Sequence, residues 1–206
     1  MEAQEQLPRS SSGALRRVGI LGGTFDPIHV GHLMMAEAVR GEYRLDEILF
    51  IPAASPPHKD AQRITPVHHR YLMTVLATCS NPHFLVSDVE MKRPGPSYTI
   101  DTIYELRRRS PGTEFYFIIG TDVIAEIATW DRVEELLTLC HFIAASRPDA
   151  EPDRARLRRE LGALRGAHPS GDDARAGNIF NRYPPPRPKR RVDPLHRAGY
   201  GGAIYL

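Results

Sequence analysis

From Val18 to Leu33 the chain reads Val-Gly-Ile-Leu-Gly-Gly-Thr-Phe-Asp-Pro-Ile-His-Val-Gly-His-Leu, and few backbone paths suit that order of residues. Val18 to Leu21 is a short apolar run that fits a buried strand. Gly22-Gly23 lets the backbone turn and approach a ligand closely, Asp26-Pro27 marks a second turn, and a helix is expected from about Val30. His29 stands just before that helix and His32 lies in its first turn, beside backbone N–H groups that no intrahelical carbonyl can satisfy. With the helix dipole behind them, these donors predict a phosphate site. Two histidines three apart also fit half of a zinc site, but no Cys, Asp or Glu at ligand spacing completes it, so no metal is assigned to them. Both the G-x-G-x-x-G fingerprint and the phosphate loop G-x-x-x-x-G-K-[ST] are absent, which sets those two nucleotide-binding classes aside.

Strand and helix signals alternate along the rest of the chain. A first helix runs over Leu33 to Val39 and ends near Arg40-Gly41, and Glu47 to Pro52 is a second buried strand. Ala53 to Ile64 is a Pro-rich loop carrying Pro56-Pro-His-Lys59, and Pro66 to Ser80 is a helix with Leu72, Val75 and Leu76 on its apolar face. Phe84 to Asp88 reads as a strand, Ser97 as the cap of a helix reaching about Arg109, Phe115 to Ile119 as a central strand and Cys140 to Ala145 as a fifth. This order predicts an α/β protein: a Rossmann-like, doubly wound parallel sheet with helices on both faces and right-handed crossovers. Ligands of such sheets bind beyond the carboxyl ends of the strands. That rule selects Gly22 to His32, Pro52 to Lys59, Asp88 to Thr99, Gly120 to Trp130 and Ser146 to Pro148.

Gly-Gly-Thr-Phe-Asp-Pro-Ile-His-Val-Gly-His-Leu, with its H-x-G-H at a helix start, resembles the signature of the nucleotidylyltransferase superfamily, and in this fuller form its bacterial nicotinate-nucleotide adenylyltransferase branch. Pro56-Pro-His-Lys59, Ser97-Tyr-Thr99, Gly120-Thr-Asp122 and Trp130 are similar to that branch as well, with Thr121 a departure from the smaller residue usual there. The resemblance implies transfer of the adenylyl group of ATP to nicotinate mononucleotide, with His29 and His32 as the catalytic pair. It implies ATP contacts from Gly22, Gly23, Thr24, Phe25, His29, His32, Lys59, Gly120 and Asp122. Lys59, Tyr98, Thr99 and Trp130 would hold the mononucleotide, and Mg2+ would accompany ATP through phosphate and water oxygens. Read without the resemblance, Lys59 is equally a solvated loop lysine, Ser97 to Thr102 a plain helix cap and Trp130 a packing residue. A nucleotide-binding protein with impaired catalysis, or a pantetheine-phosphate or cytidylyl transferase sharing H-x-G-H, are the alternatives.

The remaining properties set boundaries. The chain has 206 residues and a formal charge of +2, which fits one domain with a sizeable core and no nucleic-acid footprint. Cys79 and Cys140 are expected as buried thiols in a reducing, cytoplasmic setting, and no run suits a membrane span; self-association is left open. Residues 1–16 read as a disordered polar leader, 17–166 as the nucleotidylyltransferase domain, and 167–206 as an atypical segment whose Pro184-Pro-Pro186, Pro188 and Pro194 resist helix and strand. The family resemblance calls for a Ser-Ser-Thr-x-Ile-Arg segment that 167–206 lacks. Codons for Asn178 to Arg187 can be chosen whose one-nucleotide offset frame encodes Ile-Ser-Ser-Thr-Asp-Ile-Arg-Arg-Arg, which points to a change of reading frame near Ala167 to Asp173.

Overall fold

A computed structural model describes residues 15–57, 60–120 and 123–145, together with the backbone of Ile204–Tyr205. β1 (Arg16–Gly23), β2 (Glu47–Pro52), β3 (Phe84–Val86), β4 (Thr113–Gly120) and β5 (His141–Ala145) form a parallel sheet in the order β3-β2-β1-β4-β5. Ile204–Tyr205, β6, adds an antiparallel edge beside β5, with Ile143 opposite Tyr205. That short strand corrects the expectation that 167–206 resists all regular structure: β-branched and aromatic residues follow the last proline of the tail and can pair with an edge. Among the described residues, the α-helices are α1 (Val30–Tyr43), α2 (Val67–Thr78), α3 (Thr99–Arg109) and α4 (Val133–Leu139), and none is long and apolar enough to cross a membrane.

Side chains of the central strands alternate between two apolar layers, as the two-residue period of a strand requires. Phe115, Phe117 and Ile119 join Val18, Ile20, Leu49 and Ile51 in the layer against α3 and α4, with Ile100, Ile103 and Leu136. Tyr116 and Ile118 join Leu21, Ile48 and Phe50 in the layer against α1, with Ala36 and Val39. Burying both faces explains why β2 and β4 read as continuous apolar runs.

Several boundaries and faces differ from the sequence reading. Gly22 and Gly23 do not make the turn; they extend β1, opposite Ile51 and Pro52. The glycines instead provide clearance, since a Cβ on Gly23 would come within 3.0 Å of the Phe25 ring. The turn falls on Phe25, at φ 48°, followed by the cis Asp26-Pro27 bond. Gly41 lies inside α1, which ends at Arg44 in the left-handed region, φ 51°. α2 buries the opposite stripe from the one expected: Leu72 and Leu76 are 57% and 74% exposed, whereas Arg70, Thr74 and Thr78 are buried. Their polar groups are satisfied internally: Thr74 Oγ1 donates to the Arg70 carbonyl and Thr78 Oγ1 to the Thr74 carbonyl, both at 2.8 Å. Cys140 is buried, with its thiol pushed up to about 12 by burial, but Cys79, expected to be buried, is exposed at the C-cap of α2, past the helix's buried stripe.

Candidate active site

The strand order reverses direction between β1 and β4, so the connections leaving these strands diverge to opposite faces and leave a crevice at their carboxyl ends. An open cavity of about 810 Å³ occupies it. Gly22, Gly23 and Thr24 form one wall at the end of β1, and Gly120 with Val123 the wall after β4. His29, Gly31 and His32 bring in the start of α1. Ser97, Thr99 and Thr102 bring in the start of α3, with Trp130 beside them.

His29 is the N-cap of α1 in an extended conformation, and this places two imidazoles together over the helix start. Their rings stack with centroids 3.8 Å apart. The His29 backbone N–H donates to His32 Nδ1 at 3.2 Å. His32 is pushed down to about 4, first by burial and second by the neighbouring His29. A neutral His32 whose Nδ1 accepts carries its hydrogen on Nε2, so the ring is a fixed hydrogen-bond donor at neutral pH. Phe25 packs edge-on against His32 with centroids 5.1 Å apart and is itself buried. Its side chain is therefore part of the support under His32, and only its backbone is available to a ligand. A left-handed conformation at a phenylalanine costs about 1 kcal/mol, which the packing around the ring offsets.

The opposite end of the cavity is built on α3. Its N-cap is Tyr98 and not Ser97 as expected. Ser97 is used elsewhere: its Oγ accepts from the Ser55 N–H at 3.0 Å while its own N–H donates to the Ser55 carbonyl at 2.9 Å, which clamps the loop after β2 to the start of α3. Thr99 opens the first turn, where backbone N–H groups lack intrahelical acceptors. Tyr98 does not line the cavity; its side chain packs against the inner apolar layer. Trp130 follows a 3-10 turn over Ile124–Thr129, and its ring stands at 86° to Phe117 with centroids 5.8 Å apart. Lys59 and Asp122 lie outside the described residues, as do Thr121 and Ser146 to Pro148.

Arg70 and Glu90 carried no motif in the sequence, yet both belong to the site's framework. Arg70 is 1% exposed and donates to the carbonyls of Thr65 at 2.7 Å, Thr24 at 2.6 Å and Ala54 at 3.5 Å. It joins the loops after β1 and β2 under the cavity. Glu90 is 8% exposed and lines the cavity. Among the described residues, no three His, Cys, Asp or Glu side chains group to hold a metal ion.

Comparisons with known proteins agree on one family. The Cytidylyltransferase-like family model matches residues 20–185. A protein of Thermoanaerobacter sp. (strain X514) named probable nicotinate-nucleotide adenylyltransferase is 52% identical over 150 residues, which is 72% of this chain and 70% of the relative. A protein of Moorella thermoacetica with the same name is 51% identical over 153 residues, 74% of this chain and 70% of the relative. The solved structure of Plasmodium falciparum nicotinic acid mononucleotide adenylyltransferase complexed with NaAD superimposes with a TM-score of 0.61 at 25% identity, over 70% of this chain and 71% of that one. A nucleotide-sized crevice at the strand reversal, a histidine pair over a helix start and these relatives converge: the chain belongs to the nicotinate-nucleotide adenylyltransferase family, within the cytidylyltransferase-like group.

Proposed function

We propose that the chain transfers the adenylyl group of ATP to nicotinate mononucleotide, giving nicotinate adenine dinucleotide and pyrophosphate, a step of NAD biosynthesis. One observation carries this reading beyond family membership: a single cavity joins the His29–His32 pair to the α3 start and Trp130. The two substrates can then lie end to end. In the reaction a phosphate oxygen of the mononucleotide bonds to the α-phosphorus of ATP, and the bond from that phosphorus to the oxygen bridging to the β-phosphorus breaks, releasing pyrophosphate. The attacking phosphate is already an anion at neutral pH, so no side-chain base is needed. Catalysis then rests on alignment and on donors that meet the charge growing on the α-phosphate.

In this reading His29 and His32 supply those donors, His32 through Nε2–H. The close backbone at Gly22, Gly23, Thr24, Phe25 and Gly120, with Lys59 and Asp122, holds the rest of ATP. Lys59 and Thr99 hold the mononucleotide, with its nicotinate carboxylate at the start of α3 and its pyridine ring on Trp130, while the Tyr98 side chain, packed in the apolar layer, supports that helix start from behind. Nucleotidyltransferases use a divalent metal with ATP. We assign Mg2+ as that metal: bound with ATP it would supply charge neutralisation at the phosphates, beside the donors that His29, His32 and the start of α1 present.

Pyrophosphate release from ATP and Mg2+ should be followed with nicotinate mononucleotide, nicotinamide mononucleotide and pantetheine phosphate in parallel. The expected result is release with the two pyridine mononucleotides, faster with the acid, and none with pantetheine phosphate. Trp130→Ala should weaken both pyridine acceptors by a similar factor and leave the acid preference in place. A lost preference would move the discriminating contact from α3 to the tryptophan.

A further inference from the structure

Glu90 sits in the turn between β3 and α3, with its carboxylate against α3 beneath the acceptor end of the cavity. Its Oε1 accepts from Thr102 Oγ1 at 2.8 Å. Its Oε2 is buried and has no hydrogen-bond partner among the described residues. Arg93 Nη2 donates to Thr102 Oγ1 at 3.1 Å and to the Tyr98 carbonyl at 3.4 Å, so the network is tied to the first turn of α3. A carboxylate with an unused oxygen in a polar pocket wall is costly to a protein unless something completes it. The terminal torsion of a glutamate is broad, so the carboxylate of this cavity-lining residue has freedom to offer its idle oxygen to a ligand.

We propose that Glu90 accepts a hydrogen bond from a ribose hydroxyl of the mononucleotide, making it a specificity residue for the sugar of the acceptor. The chemistry of the ligand selects the hydroxyl. Nicotinate carboxylate and phosphate would both meet like charge, and the pyridinium ring bears no N–H or O–H. The ribose hydroxyls are the donors that remain. ATP has ribose hydroxyls too, but Glu90 is bonded to α3, whose first turn borders the acceptor end. The inference rests on the proposed acceptor, and its test reads binding and not turnover.

Nicotinate mononucleotide, its 2′-deoxy analogue and its 3′-deoxy analogue should each be titrated calorimetrically into the full chain, into Glu90→Gln and into Glu90→Met. In the wild-type chain, one of the two deoxy analogues should bind roughly 10- to 100-fold more weakly than the parent, the usual worth of a hydrogen bond to a charged group. Glu90→Met should weaken the parent by a similar factor and leave that deoxy analogue unchanged, since the bond is already gone; Glu90→Gln, which keeps one acceptor oxygen, should fall between. Thermal denaturation identifies a variant that has failed to fold, and the near-isosteric Glu90→Gln then decides. Unchanged binding in both variants, or an equal loss for the parent and both analogues, overturns the assignment of Glu90 while leaving the acceptor standing. A wild-type chain that binds none of the three overturns both.

Discussion

At the scale of single residues, burial fixes the protonation state of one member of the histidine pair. His32 is held neutral by its partial burial and by His29, and a neutral ring with Nδ1 engaged has one donor to offer. His29→Ala or His32→Ala should each lower turnover by about 100-fold, as removal of one preorganised donor to a developing oxyanion does. The thermal midpoint should move little by comparison, and near-normal turnover in both variants would show that the chemistry lies elsewhere. The depressed His32 also leaves a mark on stability. Its folded value of about 4 lies below the ordinary 6.5, so between those values the unfolded chain binds a proton that the folded chain refuses. Stability from this group is complete above pH 6.5 and falls as the pH drops toward 4. Urea denaturation across that window should give a steeper loss for the wild type than for His32→Asn.

At the scale of elements, α2 shows why a helix can be recognised in a sequence and its orientation misread. Apolar residues at Leu72, Val75 and Leu76 have helical spacing, and the usual inference turns them inward. Here the inward stripe is Arg70, Thr74 and Thr78, each satisfied by a carbonyl that no sequence pattern announces. Arg70→Met should destabilise the protein by about 3 kcal/mol, since three carbonyls lose a common donor, while Leu76→Gln should stay within about 0.5 kcal/mol. Chemical denaturation of the two variants checks this, and the reverse order would put the leucines in the core. β2, by contrast, was legible to the residue, because a fully buried strand is a bare apolar run between polar neighbours. So was the general position of the cavity, since it follows from strand ends. Ser97 was legible as a polar residue at a helix start but not as half of a clamp to Ser55, a contact made across 42 positions. Glu90 fell within the selected stretch Asp88 to Thr99 but nothing in the sequence singled it out there; what distinguishes it is an idle oxygen, which exists only in three dimensions.

For the whole molecule, the five parallel strands and the described cavity wall are encoded between Arg16 and Ala145, and only the antiparallel edge strand β6 comes from later in the chain among the described residues. The family model nevertheless continues to residue 185, past the expected domain limit at 166. Independently of that match, the offset frame at Asn178 to Arg187 would restore the Ser-Ser-Thr-x-Ile-Arg segment, whose hydroxyls and arginine the family resemblance assigns to the ATP phosphates. Residues 178–187 lie outside those described. A chain carrying the offset frame from about Ala167 should bind ATP more tightly and turn over faster than the chain as written, while nicotinate mononucleotide binds both alike. Calorimetry on the two proteins measures it, and equal ATP affinity with equal turnover would remove any reason to suspect the frame.

The sheet places β1 at its centre, with Val18 opposite Glu47 on one side and opposite Phe115 on the other. On a ribosome the first neighbour is available almost at once. The second arrives only after the intervening helices and β3 have been made. Until then, one edge of a strongly apolar strand stands open, and an open edge invites pairing with other chains. Nascent chains stalled before β4 should therefore be an aggregation-prone species of this protein and clients of a holding chaperone, and the exposure passes to β4 itself until β5 pairs with it.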